Sequence, residues 1–284
     1  MDKNFPLATK EARVISRPFF EEIYNKYTVR ELVSPDPLQF LYNYTSQKDI
    51  EAVALIASSL AYGRVGQILK AVGYILDILW ESPAQYLQNI SVDELRHKLS
   101  GFVYRFNDEN DVCDFLLAIG NFLRQGTLEE LFVSGFNGDI VHGANNFVSN
   151  FVSYMGHETT LLPSPSRGSA CKRLFLFLRW MVRHDNVDLG LWTKNIPASS
   201  LIVPLDTHAW SIASNLGLCT RRNACLLAAK EVTDSYKDIC EADPVKYDFA
   251  VTRFGIRNEF QKADLIDSLT NWLEGKANDK KFNK

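Results

Sequence analysis

Apolar residues recur three or four positions apart along almost the whole chain, and this spacing constrains the fold more than any other feature. Such stripes run through residues 19–27, 53–60, 68–79, 112–123 and 147–154. The spacing places the apolar side chains on one face of an α-helix. Val-rich alternating runs, which are typical of strands, are almost absent. The sequence therefore predicts an all-α fold of about a dozen helices.

The predicted helices form one domain over residues 1–260, followed by a C-terminal helix and polar tail over 261–284. Apolar residues make up 46% of the chain, which excludes a disordered protein. Two helical lobes with a cleft between them are compatible with this length. Ser91, followed by VDEL, predicts a helix N-cap, and Asp243-Pro244 predicts a helix start before VKYDFAV.

Cysteine usage and the N-terminus indicate a cytoplasmic protein. The five cysteines include no CxxC pair, so reduced thiols are favoured over disulfides, a zinc site or an iron–sulfur cluster. The N-terminal residues mix acids and bases without an apolar core, which excludes a signal peptide. No run of apolar residues is long enough to cross a membrane. We expect neither a metal nor a cofactor.

Positive charge is concentrated in residues 159–184. This segment has no Asp or Glu and sums to +5, whereas the chain sums to −3, so the remainder sums to −8. Its basic residues are Arg167, Lys172, Arg173, Arg179 and Arg183. A loop over 156–168 should lead into a helix from near Ser169, and basic side chains at a helix N-terminus suit phosphate. The alternatives are a solvated basic face or arginines paired with acids elsewhere.

Lys172 and Asp206 form a candidate nucleophile–carboxylate pair. Lys172 lies near the predicted helix start beside Arg173 and apolar residues, a setting that favours the neutral, nucleophilic amine. Asp206 follows Lys172 by 34 residues, at the start of a helix that Gly217 should end. A carboxylate there is either a simple N-cap or a group that stabilises a cationic transition state. His208 is either a polar surface residue or a substrate contact.

This pattern resembles the helix-hairpin-helix DNA glycosylases of the endonuclease III superfamily. That family has a glycine-containing hairpin, a lysine in the second helix and a downstream V-D-T-H that carries the catalytic aspartate. LPSPSRGSACK at 162–172 and LDTHAWSIASNLGL at 205–218 are similar to these parts. The Lys-to-Asp interval is more similar to that of the archaeal 8-oxoguanine glycosylase branch. Residues 53–76 occupy the position of the early helix–turn–helix whose turn reaches into DNA.

A closer resemblance, over about residues 20–260, is to a bacterial domain family of unknown function. Its motifs stand here as D-x-E at 49–51, LAYGR at 60–64, SACKRLFLFLRWMVR at 169–183, DLGLW at 188–192, PLDTH at 204–208 and DPVKYDF at 243–249. The chain departs from the glycosylases in two ways. Only Gly168 remains of their two-glycine hairpin, which weakens the case for phosphate binding by hairpin amides, and their four-cysteine cluster is absent.

The glycosylase resemblance implies a DNA repair glycosylase and abasic-site lyase that acts on a flipped damaged base, an oxidised purine. Lys172 would attack the sugar and Asp206 would assist. The implied phosphate contacts are Arg64, Arg167, Arg173, Arg179 and Arg183, and the implied base contacts are His208, Trp180, Trp192 and Trp210. Each tryptophan is alternatively a core residue. The partner would be double-stranded DNA with a damaged or abasic site. The alternatives are a non-catalytic nucleic-acid-binding protein on the same fold and a helical protein–protein adaptor.

Overall fold

Helices dominate the described part of the chain, residues 5–256 and 259–282, in a computed structural model. They are α1 (Lys10–Tyr27), α2 (Gln47–Ser59), α3 (Val65–Leu79), α4 (Pro83–Asn89), α5 (Val92–Leu99), α6 (Glu109–Gln125), α7 (Leu128–Ser134), α8 (Ile140–Met155), α9 (Lys172–Val182), α10 (Thr207–Leu216), α11 (Leu226–Ile239), α12 (Asp248–Ile256) and α13 (Lys262–Phe282). Short 3-10 helices are Arg30–Leu32, Pro37–Asn43, Pro165–Arg167 and Ala198–Ser200. The predicted all-α class with about a dozen helices is confirmed.

A single small hairpin interrupts the helices of the described residues. Strands β1 (Val103–Tyr104) and β2 (Asn107–Asp108) pair antiparallel, with Tyr104 opposite Asn107. A turn of two residues, Arg105 and Phe106, joins them. No alternating pattern predicts these strands, because a strand of two residues is too short to show one.

The chain divides into two compact units. Unit 1 comprises Met1–Leu32, Gly168–Lys172 and Pro197–Lys284, and unit 2 comprises Val33–Arg167 and Arg173–Ile196. Unit 1 thus holds α1, α10 to α13 and the first residue of α9, whereas unit 2 holds α2 to α8, the hairpin and the rest of α9. Helix α13 extends through most of the predicted C-terminal helix and tail, and residues 283–284 lie outside the described residues.

Helix α2 is the central helix of unit 2 and is buried on every side from Asp49 to Ser59. Its two acids bind the N-termini of neighbouring helices. Asp49 Oδ1 accepts a hydrogen bond from the Ala84 N–H of α4 at 2.8 Å. Glu51 Oε2 accepts one from the Leu128 N–H of α7 at 2.7 Å. A carboxylate is stabilised there because the first N–H groups of a helix have no partner within it.

The predicted helix boundaries are partly correct. Ser91 is the N-cap of α5, with its side chain accepting a hydrogen bond from the Glu94 N–H. The predicted start after Asp243-Pro244 is wrong, because α12 begins only at Asp248. Asp243 instead stabilises a turn, in which its side chain accepts from the Val245 N–H and its carbonyl accepts from the Lys246 N–H.

Unit 1 packs α1 against α11 and α12 through aromatic side chains. The Phe20 ring lies 6.0 Å from the Tyr236 ring and 5.3 Å from the Tyr247 ring, measured between centroids. Helix α10 packs against α12 at Gly255, where an added Cβ would lie 3.1 Å from Ile212 Cδ1. The same Cβ would lie 3.7 Å from His208 Cβ, so α12 also approaches the first turn of α10, which Asp206 caps.

Candidate active site

Lys172 and Asp206, the nucleophile and carboxylate predicted from the sequence, lie side by side in unit 1. The Lys172 Nζ is 3.9 Å from the Asp206 Oδ2. Both side chains are partly exposed, at 27% and 32% respectively. The separation is that of an ion pair but exceeds hydrogen-bond length, so the amine is near the carboxylate without being locked onto it.

Asp206 divides its two carboxylate oxygens between two tasks. It is the N-cap of α10, and its Oδ1 accepts from the N–H groups of His208 and Ala209, each at 2.9 Å. Its Oδ2 faces Lys172. The cap therefore holds the carboxylate in a fixed orientation while one oxygen remains directed at the amine. The sequence offers the N-cap and the partner of Lys172 as alternative roles for Asp206, and the structure shows that one carboxylate can fill both.

Lys172 follows a tight bend and is the first residue of α9. The bend contains Gly168 at φ +75° and Cys171 at φ +44°. A non-glycine residue in the left-handed region is uncommon and indicates a constrained backbone. The Gly168 carbonyl accepts from the Leu226 N–H at 3.1 Å, which ties the bend to the start of α11. Helix α9 therefore begins at Lys172, three residues after the predicted start near Ser169, and the bend positions the lysine.

The first turns of α10 carry the two remaining base-contact candidates of unit 1. His208 is exposed, and Trp210 is half-buried with its indole N–H donating to the Arg221 carbonyl at 3.0 Å. One residue later, Ser211 Oγ accepts from Lys262 Nζ at 2.9 Å. Lys262 thus brings a second ammonium group to α10. No sequence signal connected it with Asp206, because it lies on a helix more than fifty residues downstream.

Arg179 and Arg183, two of the proposed phosphate contacts, are buried, which corrects that prediction. Both pair with the fully buried Asp188: Arg179 Nη2 lies 3.0 Å from Oδ1 and Arg183 Nη1 lies 2.6 Å from Oδ2. Arg183 Nη1 also lies 2.9 Å from the Asp185 Oδ2. Only 5% and 3% of the two arginine side chains are exposed, so neither reaches a phosphate.

Trp180 and Trp192 are core residues of unit 2, which corrects their prediction as base contacts. Both are fully buried. The Trp192 indole N–H donates to Glu51 Oε1 at 2.9 Å, and its ring lies 5.2 Å from the Phe177 ring. Neither ring presents a face to a ligand from solvent. Glu51, which joins Trp192 to the N-terminus of α7, has its pKa raised by burial, against the effect of the hydrogen bonds that it accepts.

The other three arginines, all in unit 2, differ in how much of their charge is accessible. Arg64 is exposed at the N-cap of α3. Arg167 is also exposed and pairs with Glu158. Arg173 is half-buried, and its guanidinium donates to the carbonyls of Ser59 and Thr160. Arg64 and Arg167 are thus accessible from solvent, and an anion that binds Arg167 would compete with Glu158.

Two properties of the described residues and three comparisons with known proteins bear on the site and on the chain as a whole. Among the described residues, no group of three or more His, Cys, Asp or Glu is arranged to hold a metal ion. No helix in the described ranges is both long and apolar enough to span a bilayer. A family model described as "Protein of unknown function (DUF2400)" matches residues 36–257, which include Lys172 and Asp206. No curated protein and no solved structure gives a match.

Proposed function

The chain belongs to the DUF2400 family, whose description states no activity, and we propose that it is a DNA glycosylase and abasic-site lyase. Its substrate would be a damaged base, an oxidised purine, flipped out of double-stranded DNA. The observation that carries the proposal is the 3.9 Å separation of Lys172 Nζ from Asp206 Oδ2. Lys172 and Asp206 are the nucleophile and the carboxylate that the sequence predicts although 34 residues separate them, so their proximity supports the pairing.

The proposed reaction uses Lys172 as nucleophile. Its ammonium gives a proton to Asp206 Oδ2, and the neutral amine attacks the sugar C1′. The glycosidic bond between C1′ and the base nitrogen breaks, and the base leaves with a proton. The sugar ring then opens to a Schiff base on Nζ. Loss of a C2′ proton then expels the 3′ phosphate and cuts the strand. Asp206 also stabilises the positive charge that develops on the sugar.

The remaining candidates supply DNA contacts in this proposal. His208 and Trp210 are the proposed base contacts of this site. Both follow Asp206 closely, in the first turns of α10. Arg64 and Arg167 are exposed, and Arg173 is half-buried, so these three retain the phosphate-binding role. We propose a cytoplasmic location, and the free thiols of all five cysteines, each in a described segment, support it.

The test is cleavage of a duplex that contains one abasic site, with a second duplex that contains 8-oxoguanine. The wild-type protein should cut only the strand that carries the lesion, at the lesion, in both duplexes, and Lys172→Ala should abolish the cut. Lys230→Ala is the matched control, because Lys230 is an exposed lysine of the same unit on α11. It should cut as the wild type does.

The outcome also separates the alternatives. Salt-dependent DNA binding by a wild-type protein that does not cut would favour a non-catalytic nucleic-acid-binding protein. Failure to bind DNA at any salt concentration would favour a helical protein–protein adaptor. Cleavage retained by Lys172→Ala would overturn the assignment of the nucleophile.

A further inference from the structure

The hairpin of β1 and β2 holds large apolar side chains out in solvent. Phe106, at the turn, is 78% exposed, and Val103 is 72% exposed. The paired residues Tyr104 and Asn107 are buried on the opposite face. An isolated two-stranded hairpin is only marginally stable in water, so the position of Phe106 depends on what anchors the strands.

Anchoring comes from the turn at residues 60–64. The Tyr62 hydroxyl donates to Asn107 Oδ1 at 2.7 Å, and the Tyr104 hydroxyl donates to the Tyr62 carbonyl. The two tyrosine rings meet edge to face, with centroids 5.0 Å apart. Asn107 Nδ2 also donates to Thr160 Oγ1 at 2.7 Å. Burial raises the pKa of Tyr104 to about 12, so its hydroxyl remains a donor at neutral pH.

Arg105 has a backbone conformation that normally belongs to glycine. Its φ is +57°, at the first position of the two-residue turn. Its guanidinium fits against Gly63, where an added Cβ would lie 2.8 Å from Arg105 Nη1. The guanidinium carbon lies 5.9 Å from the Tyr62 ring centre and 5.8 Å from the Phe106 ring centre. The chain thus keeps an arginine beside the exposed ring at the expense of backbone strain.

The guanidinium groups of Arg105 and Arg173 lie beside Tyr62, and Arg64 follows Tyr62 by two residues in the sequence. Arg105 and Arg64 are exposed, and the guanidinium of Arg173 lies 4.6 Å from the Tyr62 ring centre. The acids that follow the hairpin are engaged with backbone N–H groups. Asp108 and Asp111 form the capping box of α6, and Glu109 accepts from the Gly101 N–H.

We propose that this hairpin is a nucleic-acid contact, in which an unstacked base of a DNA strand stacks on Phe106 while Arg105 and Arg64 bind the flanking phosphates. An accessible aromatic face with guanidinium groups beside it matches a base and its phosphates, whereas a purely apolar partner would leave the arginines unused. The inference rests on the proposed function only in taking DNA as the partner. It does not involve Lys172 or Asp206.

The experiment measures binding of a fluorescein-labelled, single-stranded oligothymidylate by fluorescence anisotropy. Phe106→Ala should weaken binding by about tenfold or more, and Phe106→Leu should weaken it similarly because leucine is apolar but cannot stack. Phe106→Trp should bind at least as well as the wild type. Trp80→Ala is the matched control, because Trp80 is 73% exposed in the same unit but lies between Asp77 and Glu81 in sequence. It should leave binding unchanged.

Arg105→Gly tests the charge without endangering the fold, because glycine adopts positive φ without strain. It should reduce the slope of log affinity against log salt by about 0.7, the value for one phosphate contact to a single strand.

Unchanged binding by Phe106→Ala, wild-type binding by Phe106→Leu, or no binding by the wild type would each overturn the inference. Loss of binding in Phe106→Ala by a protein that cuts no abasic site would refute the lyase and keep the hairpin contact. If the protein cuts abasic sites but Phe106→Ala binds oligothymidylate as the wild type does, the lyase is supported and the hairpin contact is refuted.

Discussion

In unit 1 the Lys172 ammonium lies 3.9 Å from the Asp206 carboxylate, and about a quarter to a third of each side chain is exposed. In unit 2 Asp188 is fully buried between Arg179 and Arg183, at 3.0 Å and 2.6 Å. Both sites pair basic residues from one segment, 172–183, with an aspartate that follows in sequence. They differ in burial, in distance and in how fully the carboxylate is bound.

The difference separates charges that hold the fold from charges that are accessible to a substrate. The Asp188 carboxylate has no exposed surface, so its removal would leave two guanidinium groups buried without full compensation. The Asp206 carboxylate keeps one oxygen directed at an amine that solvent also reaches. Substitutions of the two aspartates should therefore have opposite consequences for stability and for chemistry.

The largest effect on stability is expected from Asp188→Asn. Removing one charge from a buried ion pair costs about 3–5 kcal/mol, because the partner charge stays buried and uncompensated. Urea unfolding should show this loss as a lower transition midpoint with little change in slope. A loss below about 1 kcal/mol would show that the buried arginines do not depend on Asp188.

Glu51→Gln extends the buried side of the comparison. The glutamine amide can keep an oxygen toward Gln47, Glu129 and Trp192, but it then turns an N–H₂ group toward the Leu128 N–H. We expect a loss of about 1–3 kcal/mol for the unsatisfied donors. The measurement is again the free energy of unfolding in urea, and wild-type stability of the variant would contradict it.

Asp185 makes the buried cluster sensitive to acid. Burial raises the pKa of Asp185, but Arg183 and the N–H groups of Asp188 and Val187 outweigh it, so that the pKa lies below its ordinary value of 3.8. The ionised form therefore stabilises the fold above this value, and the stabilisation is lost as pH falls through the lower folded-state pKa. Between about pH 6 and about pH 3, Asp185→Asn should lose less unfolding free energy than the wild type. Equal losses would rule out this contribution.

Asp206→Asn should change stability least, by less than about 0.5 kcal/mol, since asparagine caps a helix as well as aspartate does. Its rate of abasic-site cleavage should nevertheless fall by about 10²- to 10⁴-fold, as expected when a proton-transfer group is removed. Gel assays of cleavage and urea unfolding of the same preparation check both. A large loss of stability with unchanged cleavage would show that Asp206, like Asp188, stabilises the fold and does not act in the reaction.

The helical class and the position of Asp206 at a helix start could be predicted because both depend on local patterns. The stripes at residues 68–79 and 112–123 are buried as their spacing requires, and Asp206 caps α10 as its place before a helix requires. The place of each residue near a helix start makes it a candidate, and the glycosylase resemblance supports the pairing, but nothing local to either residue specifies the other.

The predicted phosphate-binding role of Arg179 and Arg183 is wrong because the acid-free segment ends at His184, one residue before Asp185 and four before Asp188. A longer window would have contained both partners of the arginines. The sequence does not separate core from surface at Trp180 and Trp192, because an aromatic residue is found in either environment and its neighbours in space decide. The sequence does not predict a role for the D-x-E motif at 49–51, since its capping of α4 and α7 depends on contacts between distant segments.

The most direct test of the central proposal is to locate a covalent adduct. Wild-type protein is incubated with an abasic-site duplex in sodium borohydride, which reduces a Schiff base to a stable amine, and the cross-linked peptide is sequenced by mass spectrometry. We predict a single adduct on Lys172, its loss in Lys172→Ala and its retention in Lys230→Ala. No adduct, or an adduct on another lysine such as Lys262, would contradict the assignment of Lys172 as the nucleophile.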